Sequence, residues 1–163
     1  MRLMVAFIGI LTTGLLAADV SAQDPPSFAG TWTQIVDPDA PAAAGPGAEM
    51  FGLGASATIT QDDASLTIQR STQFGQTTSV YNLDGSSRTN TVTIQDFSIP
   101  LASVTAWDAG KLNIQTTIDF QGTMVETSLS LSLDADGNLA AESTTPGFQG
   151  GGPTTTRTSY KKG

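Results

Sequence analysis

The segment from residue 111 to residue 145 decides the fold class, and its sequence is KLNIQTTIDFQGTMVETSLSLSLDADGNLAAESTT. Gln121-Gly122 is a two-residue turn signal between two runs in which apolar and polar residues alternate. A turn at this dipeptide places Ile118 opposite Val125 and sets the register of the whole hairpin. The remaining pairs on the same face are Thr116 with Thr127, Ile114 with Leu129 and Leu112 with Leu131. A slip of one residue would bury the polar face instead, so the pattern specifies this register.

A second turn signal, Ala135-Asp136-Gly137, extends this hairpin into a three-stranded meander. It places Leu133 opposite Leu139 and Leu131 opposite Ala141. All three strands then share one apolar face and one polar face. Such a sheet must bury its apolar face against another sheet or by curling on itself.

The rest of the chain supports an all-β fold, because no helical period is found after residue 22. Short turns separate runs of strand-forming residues, and we expect a single domain over residues 23–163 with about eight or nine antiparallel strands. Sequential hairpins favour an up-and-down β-barrel, since closure removes the sheet edges. A β-sandwich is the alternative. Asp37–Gly54 is predicted to be a long loop, and Phe97–Pro100 an irregular bend.

The first 22 residues have the features of a signal peptide. Met1-Arg2 is a short positive start, residues 3–16 are mostly apolar, and Val20-Ser21-Ala22 is a small-residue cleavage site. We therefore expect export to the periplasm or the extracellular medium, with no membrane insertion after cleavage. The sequence has no cysteine, so stability must come from sheet packing rather than disulfides.

Composition excludes several functional classes. The 163-residue chain has 7 basic and 15 acidic residues and a net charge of −8, which argues against binding to nucleic acid. It has no histidine and no cysteine, and therefore lacks the commonest general base and the thiol nucleophile. We expect neither enzymatic activity nor a cofactor.

A short motif near the predicted N-terminus of the mature chain resembles a known group of barrels. Phe28-x-Gly30-x-Trp32 is similar to the Gly-x-Trp signature of the calycins, the lipocalin and avidin group. Those families carry an arginine or lysine from the last strand over this tryptophan, and the resemblance assigns that role to Arg157. The chain also resembles small exported bacterial lipocalin-like proteins in residues 58–62 and 155–161. This resemblance implies a barrel whose mouth is hooded by the loop 37–54 and whose interior binds a small ligand.

Five aromatic residues are the candidates for lining a pocket for an apolar ligand: Trp32, Phe51, Tyr81, Trp107 and Phe148. Trp32 is equally consistent with a structural core position. Trp107 faces outward if the following loop has three residues, and inward if a four-residue loop pairs it with Leu112. The sequence leaves these alternatives open.

A possible metal site lies in the second turn of the meander. Asp134, Asp136 and Asn138 carry oxygen ligands at alternate positions, as in half of a calcium loop. The alternative is a hairpin turn stabilised by aspartate, because the remaining calcium ligands are missing.

Two functions from different classes agree with these patterns. The first is binding of a small apolar ligand inside the barrel. The alternative is an envelope or secreted module that binds a protein or a polysaccharide on its outer face. A hollow interior favours the first, whereas an interior filled by side chains such as Phe28, Leu131 and Leu133 favours the second.

Overall fold

The computed structural model describes residues 24–36, 51–72, 75–94, 97–120, 122–147 and 151–163. The predicted signal peptide over residues 1–22, most of the predicted loop 37–54 and Phe148 lie outside these residues. Within the described ranges, no helix has the length and hydrophobicity needed to span a bilayer.

Ten antiparallel strands make up the part of the chain that the structure describes. They are β1 (Gly30–Gln34), β2 (Ser56–Gln61), β3 (Ser65–Thr72), β4 (Gly75–Asn82), β5 (Arg88–Ile94), β6 (Phe97–Asp108), β7 (Lys111–Phe120), β8 (Thr123–Leu133), β9 (Leu139–Thr145) and β10 (Thr154–Lys162). All ten belong to one sheet with the order β4-β3-β2-β1-β10-β9-β8-β7-β6-β5. The predicted up-and-down barrel is confirmed, and the β-sandwich alternative is wrong because a single sheet curls on itself.

The number of strands is ten rather than the eight or nine expected from the sequence. Each run between two turns forms a strand of its own, including the segment Phe97–Pro100 that was expected to be irregular. This segment is the start of β6, where Pro100 lies opposite Thr91 of β5. The pairing of β6 with β7 begins only at Leu101, so the missing N–H of Pro100 removes no hydrogen bond from that ladder.

The predicted register of the meander is confirmed. Ile118 lies opposite Val125, and Leu112 lies opposite Leu131. Leu133 lies opposite Leu139 as predicted, but 37% of Leu133 is exposed. It is the last residue of β8, beside the turn, and so does not help to fill the interior.

The barrel closes between β4 and β5 through side chains rather than a backbone ladder. These two strands are at opposite ends of the sheet order. The Asn90 side chain accepts a hydrogen bond from the Val80 N–H (2.8 Å) and donates one to the Val80 carbonyl (2.9 Å). Thr105 Oγ1 donates to the Asn82 carbonyl (2.6 Å). The Asn90 amide therefore takes the place of a paired backbone residue along this seam.

The two ends of the barrel differ in what covers them. The turns at residues 62–64, 83–87, 109–110 and 134–138 lie at one end together with residues 24–28, and we call this the closed end. The other end carries residues 51–55 and the connection between β9 and β10, and we call it the mouth.

Candidate functional site

Aromatic side chains fill the closed end. Phe28 and Trp32 are buried, and Trp32 Nε1 donates a hydrogen bond to the Phe28 carbonyl (2.8 Å). The Phe28 ring stacks on Trp107 with a centroid distance of 5.8 Å. Trp107 faces inward because the turn at residues 109–110 pairs it with Leu112. Trp32 and Trp107 therefore belong to the packed core of the closed end.

A lysine, not the expected arginine, covers Trp32. Lys162 lies opposite Trp32 in the β1–β10 pairing, and its Nζ is 5.6 Å from the centroid of the Trp32 ring. The Arg157 side chain is 70% exposed and forms an ion pair with Glu142 (3.5 Å). The expectation for Arg157 was wrong because it is an odd number of residues from Lys162, and such residues face opposite sides of a strand.

The glycine of the Gly-x-Trp motif makes room for this lysine. A Cβ at position 30 would lie 2.5 Å from Lys162 Cε, and the φ of Gly30 is +149°. The lysine stem therefore passes directly over the Gly30 backbone. The absence of a side chain at Gly30 therefore lets Lys162 reach the ring of Trp32.

A belt of polar side chains crosses the interior between the closed end and the mouth. On β7 the inward side chains run from Leu112 and Ile114 through Thr116 to Ile118, and all four are buried. The buried polar side chains of the mouth half are Arg70, Ser79, Ser103, Thr116, Thr127, Ser143 and Thr145. Ser103 and Thr116 are hydrogen-bonded to each other (2.9 Å). Hydroxyl groups and one guanidinium therefore line the interior below the mouth.

A short segment, Gly52–Gly54, plugs the mouth. Leu53 is completely buried inside the barrel, although it belongs to the connection between β1 and β2. A Cβ on Gly54 would lie 2.8 Å from the Ser71 carbonyl oxygen, and the φ of Gly54 is +71°. Glycine is therefore required at this position for the plug to enter so closely.

Two interior side chains hold the plug on either side of Leu53. Arg70 Nη1 donates to the Gly52 carbonyl (2.6 Å), and Tyr160 Oη donates to the Gly54 carbonyl (2.9 Å). Burial raises the pKa of Tyr160 to about 12, against the opposing effects of a hydrogen bond with Thr158 and the charge of Arg70. Tyr160 is therefore a neutral hydrogen-bond donor throughout the physiological pH range.

One small cavity adjoins the plug, and a second lies beside Arg70. The first has a volume of about 100 Å³ and is lined by Leu53, Ser143, Thr158 and Tyr160 among others. The second has a volume of about 20 Å³ and is lined by Arg70 and Phe51 among others. Pockets for small molecules usually have volumes of about 300–1,000 Å³. Neither of these two cavities, bounded by residues that the structure describes, holds a ligand of more than a few atoms while Leu53 is in place.

The structure brings together only part of the predicted pocket. Phe51 and Tyr81 both line the smaller cavity, whereas Trp32 and Trp107 lie at the opposite end of the barrel. Leu53 and Arg70 were not among the predicted site residues. For Arg70 the sequence does contain a signal. Leu66, Ile68 and Arg70 follow one another at a spacing of two and are all buried, so the alternation itself places a charge on the inner face.

The candidate calcium loop is a hydrogen-bonded turn. Asp134 Oδ1 accepts hydrogen bonds from the backbone N–H of Asp136 (3.0 Å) and of Asn138 (2.8 Å). The Asn138 side chain donates to Asp134 Oδ2 (3.1 Å), and these bonds lower the pKa of Asp134. Among the described residues, no three potential metal-ligating side chains cluster together.

Comparison of the chain with protein-family models and with curated proteins finds no match. Function is therefore inferred from the architecture of the barrel and from the arrangement of side chains at its mouth.

Proposed function

We propose that this protein is an exported, non-enzymatic, lipocalin-like barrel that binds a small apolar molecule at its mouth in place of Leu53. The observation that supports this most directly is the plug itself. An apolar side chain from a connecting segment is completely buried between two glycines, above a cavity of about 100 Å³. A site already occupied by a removable apolar group can accept an apolar ligand of similar or larger size.

The division of the interior supports this location. At the closed end the buried residues are parts of strands or are hydrogen-bonded to them, as Phe28 is to Gln61 (2.8 Å). The plug is held at the mouth by the hydrogen bonds from Arg70 and Tyr160 to the two carbonyls that flank Leu53. Displacing Leu53 would add the volume of its side chain to the cavity without disturbing any strand pairing.

A neutral fluorescent probe tests this proposal. N-phenyl-1-naphthylamine is titrated into the chain that begins at Gln23 and into a Leu53→Ala variant. We expect Leu53→Ala to bind the probe about tenfold more tightly. The substitution removes roughly three carbon atoms of the leucine side chain, whose burial otherwise competes with the ligand. Native mass spectrometry of protein exported from a bacterial host would identify a resident ligand.

A matched pair of variants on β9 localises the probe. Ser143→Leu fills the cavity below the plug, whereas Thr144→Leu adds the same side chain to the outer face of the same strand. We expect loss of probe binding in Ser143→Leu only. Equal loss in both variants, or no binding by folded Leu53→Ala, would contradict a ligand site at the mouth.

A second candidate function, binding of a protein or polysaccharide on the outer face, is supported by a different feature. A shallow groove of about 400 Å³ runs across β6, β7 and β8 and is lined by Val104, Gln115 and Glu126 among others. This groove offers amide, hydroxyl and carboxylate groups beside an exposed valine. Co-sedimentation with envelope polysaccharide that is lost in Gln115→Arg, but kept in Ser143→Leu, would favour this function over the first.

A further inference from the structure

Arg70 is a buried charge whose hydrogen-bond partners, among the residues that the structure describes, are neutral. Only 6% of this residue is exposed. Its guanidinium donates to the Gly52 carbonyl (2.6 Å), to Thr77 Oγ1 (3.1 Å) and to Ser79 Oγ (3.5 Å). Among the described residues, no carboxylate forms an ion pair with it. Burying an ion without a counter-charge is costly, so this arrangement favours any anion that can reach the guanidinium.

A small cavity with both hydroxyl and apolar lining lies beside Arg70. The cavity of about 20 Å³ is lined by Arg70, by the threonines Thr116 and Thr127, and by Phe51 and Tyr81 on its apolar side. This volume corresponds to about one water molecule. A guanidinium matches the geometry of a carboxylate, and neighbouring hydroxyls can donate further hydrogen bonds to it.

The plug currently occupies one of the positions that an anion would take. The Gly52 carbonyl accepts the shortest of the three hydrogen bonds from Arg70. A carboxylate is a stronger acceptor for a guanidinium than a carbonyl is, because both partners are then charged. An arriving carboxylate would therefore replace Gly52 and release one of the two hydrogen bonds that hold Leu53 inside.

We propose that Arg70 recognises a carboxylate-type anionic group, which replaces the Gly52 carbonyl and so opens the plug. This inference rests on the proposed function, since the molecule that displaces Leu53 would carry the group. The ligand class is then an amphipathic monocarboxylate. Its apolar part occupies the site of the Leu53 side chain, and its carboxylate lies against Arg70.

The test compares a carboxylate with its neutral analogue. The ¹⁵N-labelled chain from Gln23 onward is titrated with hexanoate and with 1-hexanol, and the backbone amide signals of Leu53 and Gly54 are followed by NMR. We expect hexanoate to bind at least about tenfold more tightly than hexanol, as for a charge-assisted hydrogen bond. Arg70→Met should remove this preference, Arg70→Lys should retain part of it, and the exposed Arg157→Met should leave it unchanged.

A parallel titration with acetate identifies the source of the anion. Binding of acetate as tight as that of hexanoate, and dependent on Arg70, would support a free small anion at the same site. Weaker binding of acetate would support the head group of a larger ligand. Glu49, two residues before Phe51 in the sequence, is an alternative source of a carboxylate for Arg70. The Glu49→Gln variant tests this alternative. A gain in acetate affinity in that variant would overturn the proposal, because the anion bound by Arg70 would then belong to the protein itself.

The titration with 1-hexanol shows whether a negative result concerns only the role of Arg70 or the proposed ligand site as a whole. Equal binding of hexanoate and hexanol at Leu53 would overturn the role of Arg70 and leave an apolar ligand at the mouth. Absence of binding for both compounds, in a chain that NMR shows to be folded, would overturn both proposals.

Discussion

The closed end and the mouth are built on the same ten strands, but they are filled in different ways. At the closed end, strand residues such as Leu112 and Leu131 meet Trp32, and hydrogen bonds join the N-terminal segment to β2. At the mouth, hydroxyl groups line the strands together with Leu101 and Ile118, and Leu53 enters from a connecting segment. Strand pairing alone does not require this segment to enter the barrel. We therefore expect the closed end to contribute more to stability than the mouth.

The sharpest test of this comparison is a pair of leucine truncations. Leu131→Ala at the closed end should lower the free energy of unfolding by about 2–5 kcal/mol, because β8 and its neighbours cannot move to fill the space. Leu53→Ala should cost about half of that or less, since the plug can shift. Urea denaturation measures both values. A Leu53→Ala cost equal to that of Leu131→Ala would show that the plug is as rigid as the core.

The seam between β4 and β5 should show the next largest effect. Asn90→Ala removes both hydrogen bonds to Val80, and we expect a loss of about 1–3 kcal/mol together with faster hydrogen exchange along β4 and β5. Asn113→Ala is the matched control, because Asn113 accepts a hydrogen bond from Ser130 on the outer face (2.7 Å). Equal exchange rates in the two variants would mean that Asn90 does not close the barrel.

The Gly-x-Trp contact at the closed end comes third. Gly30→Ala should cost about 1–2 kcal/mol, because its methyl group would meet the Lys162 stem and its φ is unfavourable for alanine. Gly152→Ala, at a position with open space, should be neutral. In thermal unfolding, Lys162→Ala should recover part of the loss in Gly30→Ala. Strictly additive effects would argue against the contact.

The mouth should respond to alkaline pH through Tyr160. Burial raises the pKa of this phenol from its ordinary value of 10.0 to about 12 in the folded protein. Above pH 10 the unfolded chain loses the proton first, so stability should fall between pH 10 and pH 12. Thermal unfolding of Tyr160→Phe should lack this part of the pH dependence, whereas Tyr81→Phe should keep it. An unchanged profile in Tyr160→Phe would place the titration elsewhere.

The smallest effect is expected at low pH in the turn after β8. Hydrogen bonds from Asn138 and Asp136 lower the pKa of Asp134 below its ordinary value of 3.8. The ionised Asp134 side chain therefore contributes fully to stability above its ordinary pKa of 3.8. This contribution is lost as the pH falls through the lower pKa that Asp134 has in the folded protein. Asp134→Asn should flatten the stability profile below about pH 4 relative to Asp136→Asn. Identical acid profiles of the two variants would contradict this role.

Local patterns predicted the parts of the barrel in which neighbours along the chain are also neighbours in the sheet. The register of β7, β8 and β9 follows from alternation and two turn signals, and the structure reproduces it. The start of β6 was not predicted because proline is rare within strands. Pro100 is tolerated here because it pairs with β5 but lies just before the part of β6 that pairs with β7.

The candidate site was less predictable because distant segments assemble it. Arg70 could have been placed on the inner face from its spacing to Ile68, but nothing local shows that its acceptor is the Gly52 carbonyl. Leu53 lies in a stretch of glycine and alanine whose composition is typical of a mobile loop. Its burial depends on the open space that the hydroxyl-lined strands leave at the mouth.

The sequence by itself determined the fold class, the sequential antiparallel pairing and the inner face of the meander, because side-chain alternation and turn residues act between chain neighbours. Only the tertiary structure decided how the barrel closes, which cation covers Trp32 and what fills the mouth. Those features depend on the pairing of β1 with β10 and on the curvature of the whole sheet. Contacts between residues far apart in the chain leave no periodic signal in either segment alone.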